Sequence, residues 1–267
     1  MKIKPDFAGA AVLSLESRRA EEMGLLIGGF NGLPTVAPSI REVPLETNTP
    51  LLEFANDLKQ ARVQHLICMT GVGTQFLLRQ LKNIPEAIAA LQNTNIVIRS
   101  NKATAVLREH GLTATLVNDP HTWHEVQAHY ATHDLSQQNV WIAEFGEDTP
   151  AELISSLKAS GAKVQTLALY RWALPEDTKP LETAIRQVCN HEFTWLLLTS
   201  GVQLWHAMTF AKLLGLETDF RTGLQQLRIA SIGPTCNEAI LELGLTPSLT
   251  AEPHKMGSLV RAAALAT

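Results

Sequence analysis

The chain has 267 residues, of which 45% are apolar and 18% charged, and its formal net charge is −4. That balance fits a globular protein long enough for two domains of ordinary size, and it supplies no global basic field for nucleic acid. The longest apolar runs, such as WLLL at 195–198, are far too short to span a bilayer. Cys68, Cys189 and Cys236 carry neither disulfide nor metal spacing.

At the start of the chain, Glu16, Arg18 and Arg19 interrupt a short apolar run, which argues against a signal peptide and for a cytoplasmic protein. Strand-like runs then fall at 10–15, 65–70, 95–99, 139–143, 195–199 and 228–232. Helical stretches alternate with them, at 75–82, 151–160, 181–188, 203–214 and 235–243. Near-continuous apolar strands between helices predict an α/β protein with parallel sheets flanked by helices.

One segment recurs. IRSNKATAVLREHGLTATL at 98–116 returns as SIGPTCNEAILELGLTPSL at 231–249, an offset of 133 residues. Ala103, Val106 and Leu107 align with Cys236, Ala239 and Ile240, one face of a helix. Gly111 and Gly244 read as residues just past the helix end, followed by Leu112 and Leu245 as the apolar contact of such a cap. His110 replaces Leu243 and is expected to be partly buried. Each copy is therefore strand, turn, helix, glycine stop and strand. Two copies predict two similar domains with a cleft between them.

Two extended, Pro-bounded segments, PTVAPSIREVPLE at 34–46 and KVQTLALYRWALPE at 163–176, flank the first copy. They predict that one domain, 46–163, is inserted into the other, 1–36 plus 174–267, with 37–45 and 164–173 pairing as a two-stranded β linker.

Helix-start chemistry follows the strands repeatedly. Ser200 precedes Gln203, Thr235 precedes Glu238, Thr122 precedes Glu125, and Thr149 with Pro150 precedes Glu152. All four fit capping boxes or a proline at the first helical position. Such caps stabilise helices by about 1 kcal/mol each and require no ligand. Collected beyond the carboxyl ends of strands, they also favour anions. MTGVGTQ at 69–75 adds a Gly-rich turn, but no Gly-Lys-Ser/Thr follows it and it is no P-loop. His121, His124, His129 and His133 cluster, with His129 and His133 spaced for one helix face, yet nothing completes a metal site.

These residues resemble the uroporphyrinogen-III synthase family over nearly the whole chain. The resemblance rests on the order of ESRRAEEMGLLIGGFNGLPTVAPSIREVPL (16–45), TGVGTQFLL (70–78), PHTWHEV (120–126), VWIAEFG (140–146) and VQTLALYRWALPEDTKPL (164–181). LLLTSGVQLWHAM (196–208), IGPTCNEAILELGL (232–245) and PHKMGSLV (253–260), with Lys255 and Met256, complete it. The chain departs from the pattern at Phe145, where a tyrosine is common, and at His121 and His124, where Asn and Arg are common.

The resemblance implies two α/β domains, one inserted in the other. It implies a lyase that closes hydroxymethylbilane, a linear tetrapyrrole with eight carboxylates, to uroporphyrinogen III with inversion of ring D and loss of water. It further implies no cofactor, no metal, no nucleic-acid or membrane partner, and a monomer. Tyr170 matches the position thought to assist departure of the hydroxyl; the alternative is that it packs the linker. Arg18, Thr70, Gly71, Val72, Arg99, Ser100, Lys102, Thr122, Thr199, Ser200, Gly201, Gly233 and Thr235 are the expected substrate-binding residues. For Arg99 and Lys102 the alternative is a solvated face. A different class of function, a non-catalytic tetrapyrrole- or anion-binding sensor of the same fold, stays open at this point.

Overall fold

A computed structural model describes residues 4–45, 49–146 and 149–267. Residue 46, the expected start of the inserted domain, lies outside the described residues. The chain opens with β1 (Ala11–Ser14), α1 (Ala20–Gly29), β2 (Leu33–Val36) and β3 (Arg41–Pro44). It continues through α2 (Thr49–Lys59), β4 (His65–Cys68), α3 (Gly71–Leu81), α4 (Pro85–Ala90), a 3-10 turn at Leu91–Asn93 and β5 (Asn95–Ile98). Next come α5 (Asn101–Glu109), β6 (Thr115–Leu116), α6 (Trp123–Tyr130), β7 (Asn139–Ala143), α7 (Ala151–Ala159) and β8 (Lys163–Leu167). The last part is β9 (Tyr170–Ala173), α8 (Lys179–Cys189), β10 (Trp195–Leu198), α9 (Gly201–Leu213), α10 (Glu217–Gln226), β11 (Arg228–Ser231), α11 (Pro234–Glu242), β12 (Leu249–Thr250) and α12 (Met256–Leu265).

The chain divides into two compact units, Met1–Arg41 with Ala173–Thr267, and Glu42–Trp172. Each holds a parallel five-stranded sheet, ordered β12-β11-β10-β1-β2 in the first and β6-β5-β4-β7-β8 in the second. The spatial orders correspond strand for strand, but the first unit enters its sheet at the fourth position. The two are circular permutations of one topology. β3 and β9 form a separate two-stranded sheet. The stretch expected as one linker strand, 164–173, is therefore two: β8 closes the edge of the second sheet, and only β9 pairs with β3. The alternating exposed and half-buried positions of KVQTL are those of a sheet edge strand, and the chain leaves the sheet only after Leu167.

Alternation along each strand explains why these runs are apolar throughout. Trp195 and Leu197 enter the core under α1 and α12, while Leu196 and Leu198 enter the core under α8, α9 and α10. In the second unit Leu66 and Cys68 face the side of α2, α3 and α5, and Ile67 faces α6 and α7. With helices on both faces, no strand position can be polar without cost. Helix α8 supplies the amphipathic counterpart: Leu181, Ala184, Ile185 and Val188 are buried at i, i+3, i+4 and i+7.

The repeated segments occupy equivalent places, β5–α5–β6 and β11–α11–β12. Both helices end in the same motif. Gly111 N donates to Arg108 O at 3.0 Å and Leu112 N to Leu107 O at 3.0 Å; Gly244 N and Leu245 N donate to Leu241 O and Ile240 O at 2.9 and 3.1 Å. Gly111 and Gly244 take φ of +69° and +73°, the left-handed conformation of this cap. Leu112 and Leu245 are buried as expected. His110 is exposed rather than partly buried. Leu243, its counterpart, is covered because Arg221 and the α10 side of the first core reach it.

Gly111→Ala and Gly244→Ala are each expected to destabilise the chain by about 1 kcal/mol, because a Cβ is disfavoured at positive φ. Urea-unfolding midpoints check this; unchanged midpoints would mean that the caps tolerate a side chain.

Candidate functional site

In the second unit, α3 starts directly at the carboxyl end of β4. Thr70 is its N-cap: Gly73 N donates to Thr70 Oγ1 at 2.9 Å, and Thr70 O accepts from Thr74 N at 3.0 Å and from Thr74 Oγ1 at 2.7 Å. The Gly-rich segment expected as a turn is thus the first turn of α3. Glycine is needed at 71 because a Cβ there would lie 2.7 Å from Lys102 Cβ, where α3 and α5 converge. Gly71 and Val72 present first-turn amides that no intrahelical carbonyl can accept. Ser100 caps α5, accepting from Lys102 N at 3.4 Å, and the Lys102 side chain is exposed.

Tyr170 opens β9 and is fully buried. Its phenol lies 3.5 Å from Thr70 Oγ1, and its ring packs against Phe76 and, edge-on, against Trp172. Arg99, the residue after β5, is half-buried with its guanidinium over the Phe145 ring, 5.5 Å from the centroid. Its Nε is buried without a hydrogen-bond partner among the described residues. Burial depresses the Arg99 guanidinium below its usual value, and the nearby Tyr170 phenol opposes that shift. The structure therefore brings Thr70, Gly71, Val72, Arg99, Ser100, Lys102 and Tyr170 to the carboxyl ends of β4 and β5. Phe145 and Trp172, which complete the aromatic lining, are contributions that sequence reasoning missed.

Thr122 is present at the start of α6 but committed. Its hydroxyl donates to Glu125 Oε2 at 2.6 Å and accepts from His124 N at 3.1 Å, and Thr122 N donates to the same carboxylate at 2.7 Å. This closed capping box leaves the hydroxyl no capacity to donate to a ligand. Two expected caps sit elsewhere. Gly233, not Thr235, is the N-cap of α11, because Pro234 fixes the first helical position. Pro150, not Thr149, precedes α7, and Thr149 Oγ1 donates instead to Glu144 Oε1 at 3.1 Å.

In the first unit, Ser200 starts α9, and Gln203 Oε1 accepts from Thr199 N and Ser200 N at 3.1 and 3.3 Å. Gly201 is buried, and a Cβ there would meet Ala239 Cβ at 2.3 Å. This is the counterpart of the Gly71 approach. Thr199 Oγ1 donates to Glu16 Oε2, so this hydroxyl too is occupied within the protein. Gly233 lies against His254, and Thr235 and Arg18 are exposed. Glu16 was not among the expected site residues. A carboxylate two positions after an apolar strand was the signal available. A surface hollow of about 410 Å³, lined by Arg186, Cys189, Asn190, His191, Leu216 and Asp219, lies between the end of α8 and the start of α10, away from these strand ends.

Two doubly wound units of one strand order, with amides and hydroxyls gathered at their strand ends, define an α/β protein of the class that takes ligands beyond the carboxyl ends of its strands. The family model for Uroporphyrinogen-III synthase HemD matches residues 22–261, and the chain belongs to that family. Among solved structures, a mutant uroporphyrinogen III synthase of the extremely thermophilic bacterium Thermus thermophilus matches with TM-score 0.75 at 22% identity, over 97% of this chain and 99% of that one. Uroporphyrinogen-III synthetase of Helicobacter pylori 26695 matches with TM-score 0.52 at 17% identity, over 95% and 98%. The uncharacterized protein YjjA of Bacillus subtilis (strain 168) is 26% identical over 251 residues, 91% of each chain. At these identities the solved structures establish the fold. Among the described residues, no helix is long and apolar enough to cross a membrane.

Of the histidine cluster, His121 and His124 sit at the start of α6, and His129 and His133 belong to the other end of the second sheet. His129 and His133 stack with ring centroids 4.9 Å apart, beside the buried His65 that begins β4. Gln138 Nε2 donates to Asp134 O at 3.2 Å, so its Oε1 faces His65 Nε2, at 2.6 Å, and must accept. His65 Nδ1 then accepts from Asn95 Nδ2 at 3.1 Å and from Tyr130 OH at 3.2 Å. These contacts assign the neutral Nε2–H tautomer. Burial, above all, lowers the His65 pKa; the Gln138 bond opposes this and His133 adds to it. Burial also lowers that of His129, followed by His133 and His65.

A histidine held below its unfolded value contributes stability above about pH 6.5 that is lost as pH falls, since only the unfolded chain takes up the proton. Hydrogen-exchange protection of β4 and α6 should therefore fall as pH drops below about 6.5, and His65→Gln should flatten that slope. Equal slopes in parent and variant would remove His65 as its source.

Proposed function

We propose that the chain is a uroporphyrinogen-III synthase, a lyase that cyclises hydroxymethylbilane to uroporphyrinogen III and water, acting as a cytoplasmic monomer. The observation that carries the reading is the placement of Tyr170 at the strand ends of the second unit, among Thr70, Arg99 and the first turn of α3, in a chain of this family.

The physical demand of the reaction is positional. The substrate closes unaided to the symmetric isomer, so the protein must bring the ring A carbon to the substituted carbon of ring D and keep simple closure from competing. Holding reacting atoms in one geometry supplies several kcal/mol of barrier reduction. Carboxylates suit the unsatisfied amides of Gly71 and Val72 at the positive end of α3. Arg99 keeps its charge at neutral pH and adds a partner for bidentate recognition. A phenol hydroxyl is suited to donate to the departing hydroxyl oxygen. On this reading Lys102 and Ser100 extend the same anion-favouring end, and Gly201, Gly233, Thr235 and Arg18 serve at the strand ends of the first unit.

The complete burial of Tyr170 favours a second reading for that one residue, in which it packs β9 against α3 and the chemistry lies with positioning alone. Tyr170→Phe separates the two. Its hydroxyl lies 3.5 Å from Thr70 Oγ1, and the aromatic packing is kept in the variant, so loss of stability should stay at about 1 kcal/mol. If the phenol assists departure, turnover falls about 10²-fold; full retained turnover assigns Tyr170 to packing. The assay generates hydroxymethylbilane with a deaminase, adds the protein and separates the isomers. Formation of isomer I alone would rule out the synthase.

A further inference from the structure

We infer that Glu16 is a built-in anion of the first unit, a positioning residue whose ionised carboxylate occupies the place where the starts of α1 and α9 would otherwise hold a ligand carboxylate. Glu16 follows β1 by two residues and is 8% exposed. Its Oε1 accepts from Arg18 N at 3.0 Å and Arg19 N at 3.1 Å, the approach to α1. Its Oε2 accepts from Gln203 Nε2 at 3.1 Å and from the Thr199 hydroxyl.

The orientation of Gln203 is fixed independently. Its Oε1 is engaged by the amides of Thr199 and Ser200, so its NH2 must face Glu16. Both carboxylate oxygens of Glu16 thus meet donors only. A glutamine at 16 would turn its own NH2 against one pair of donors or the other. A carboxylate is the group that satisfies both sides, and α1 directs its positive end toward it. The N-cap residue of α1, Arg19, supplies no side-chain cap of its own; Glu16 accepts its amide instead.

One consequence bears on specificity. In the first unit the Thr199 hydroxyl and the Thr199 and Ser200 amides are spent on Glu16 and Gln203, so they do not receive a ligand carboxylate. They fix the entry of α9, leaving the Gly201 and Val202 amides aligned at its first turn, while Glu16 itself fixes the backbone that carries Arg18. This step rests on the synthase reading only for what those positioned groups hold.

The test uses the full chain with Glu16→Ala and Glu16→Gln, followed by thermal melting in excess formate or in chloride at equal ionic strength. Removing the acceptor strands four donors, and the Ala variant should melt about 5 °C or more below the parent. Formate, which fits the vacated place, should restore most of that loss, and chloride should not. The Gln variant should also melt lower, but formate should not help, because its amide fills the space. In the isomer assay both variants should raise KM about tenfold while kcat stays within about twofold. A Gln variant as stable as the parent, or an Ala variant indifferent to formate, would overturn the inference; so would unchanged KM. If the parent itself yields only isomer I, the synthase reading falls while the melting experiments still decide Glu16.

Discussion

Parallel strands buried on both faces are the constraint from which the rest of this structure follows. Each central strand sends alternate side chains into two separate cores, as with Trp195 and Leu197 against Leu196 and Leu198. Polar chemistry is thereby pushed out of the sheets and onto their ends. The carboxyl ends gain the positive starts of helices, and the amino ends receive what the helix termini and loops return. The second unit illustrates both. Thr70, Arg99 and Tyr170 gather at one end, and at the other a buried neutral histidine is held by Asn95, Tyr130 and Gln138.

The same constraint places a carboxylate in each unit. Glu16 follows β1 and Glu144 follows β7, which are corresponding strands of the two sheets, and both are 8% exposed. These strands stand where the strand order reverses, the position at which neighbouring loops diverge and leave room for a polar side chain. Glu16 is satisfied by backbone and side-chain donors from the starts of α1 and α9. Glu144 accepts from Thr149 at the approach to α7. A buried carboxylate at that point costs desolvation, and helix-start amides and hydroxyls offset the cost.

The central strands were legible in the sequence because burial on both faces makes them apolar without interruption, and the 98–116 and 231–249 helices because their glycine and leucine positions repeat; the edge strand β8 was not. Helix starts were less legible. Gly-rich 71–75 reads as a turn, yet the close approach of Lys102 requires glycine inside the first turn of α3. Thr235 and Thr149 look like caps by spacing, but Pro234 and Pro150 move the boundaries. The availability of a hydroxyl was legible only where its partner is local. Thr122 is engaged by Glu125 within the capping box that its spacing predicts, whereas Thr199 is engaged by Glu16 from across the first unit, 183 residues away. Arg99 is legible as a residue after a strand, whereas its seat depends on Phe145, just past β7 and 46 residues further along.

The two copies of the repeat differ in an ordered way. Positions that keep the fold have been retained: the paired glycines at positive φ, the leucines behind them, and the apolar face of each helix. Positions at the helix start have not. Ser100 and Lys102 in the second unit correspond to Gly233 and Thr235 in the first, where Pro234 also removes an amide. One start therefore carries a cation and a hydroxyl cap, and the other is neutral with fewer donors. The residues after the strands diverge in the same sense, Arg99 against Ile232. Core packing tolerates little change at any one position, so a duplicated α/β unit can acquire different ligand chemistry chiefly at the first turns of its helices. Those first turns are among the positions where these two copies have separated.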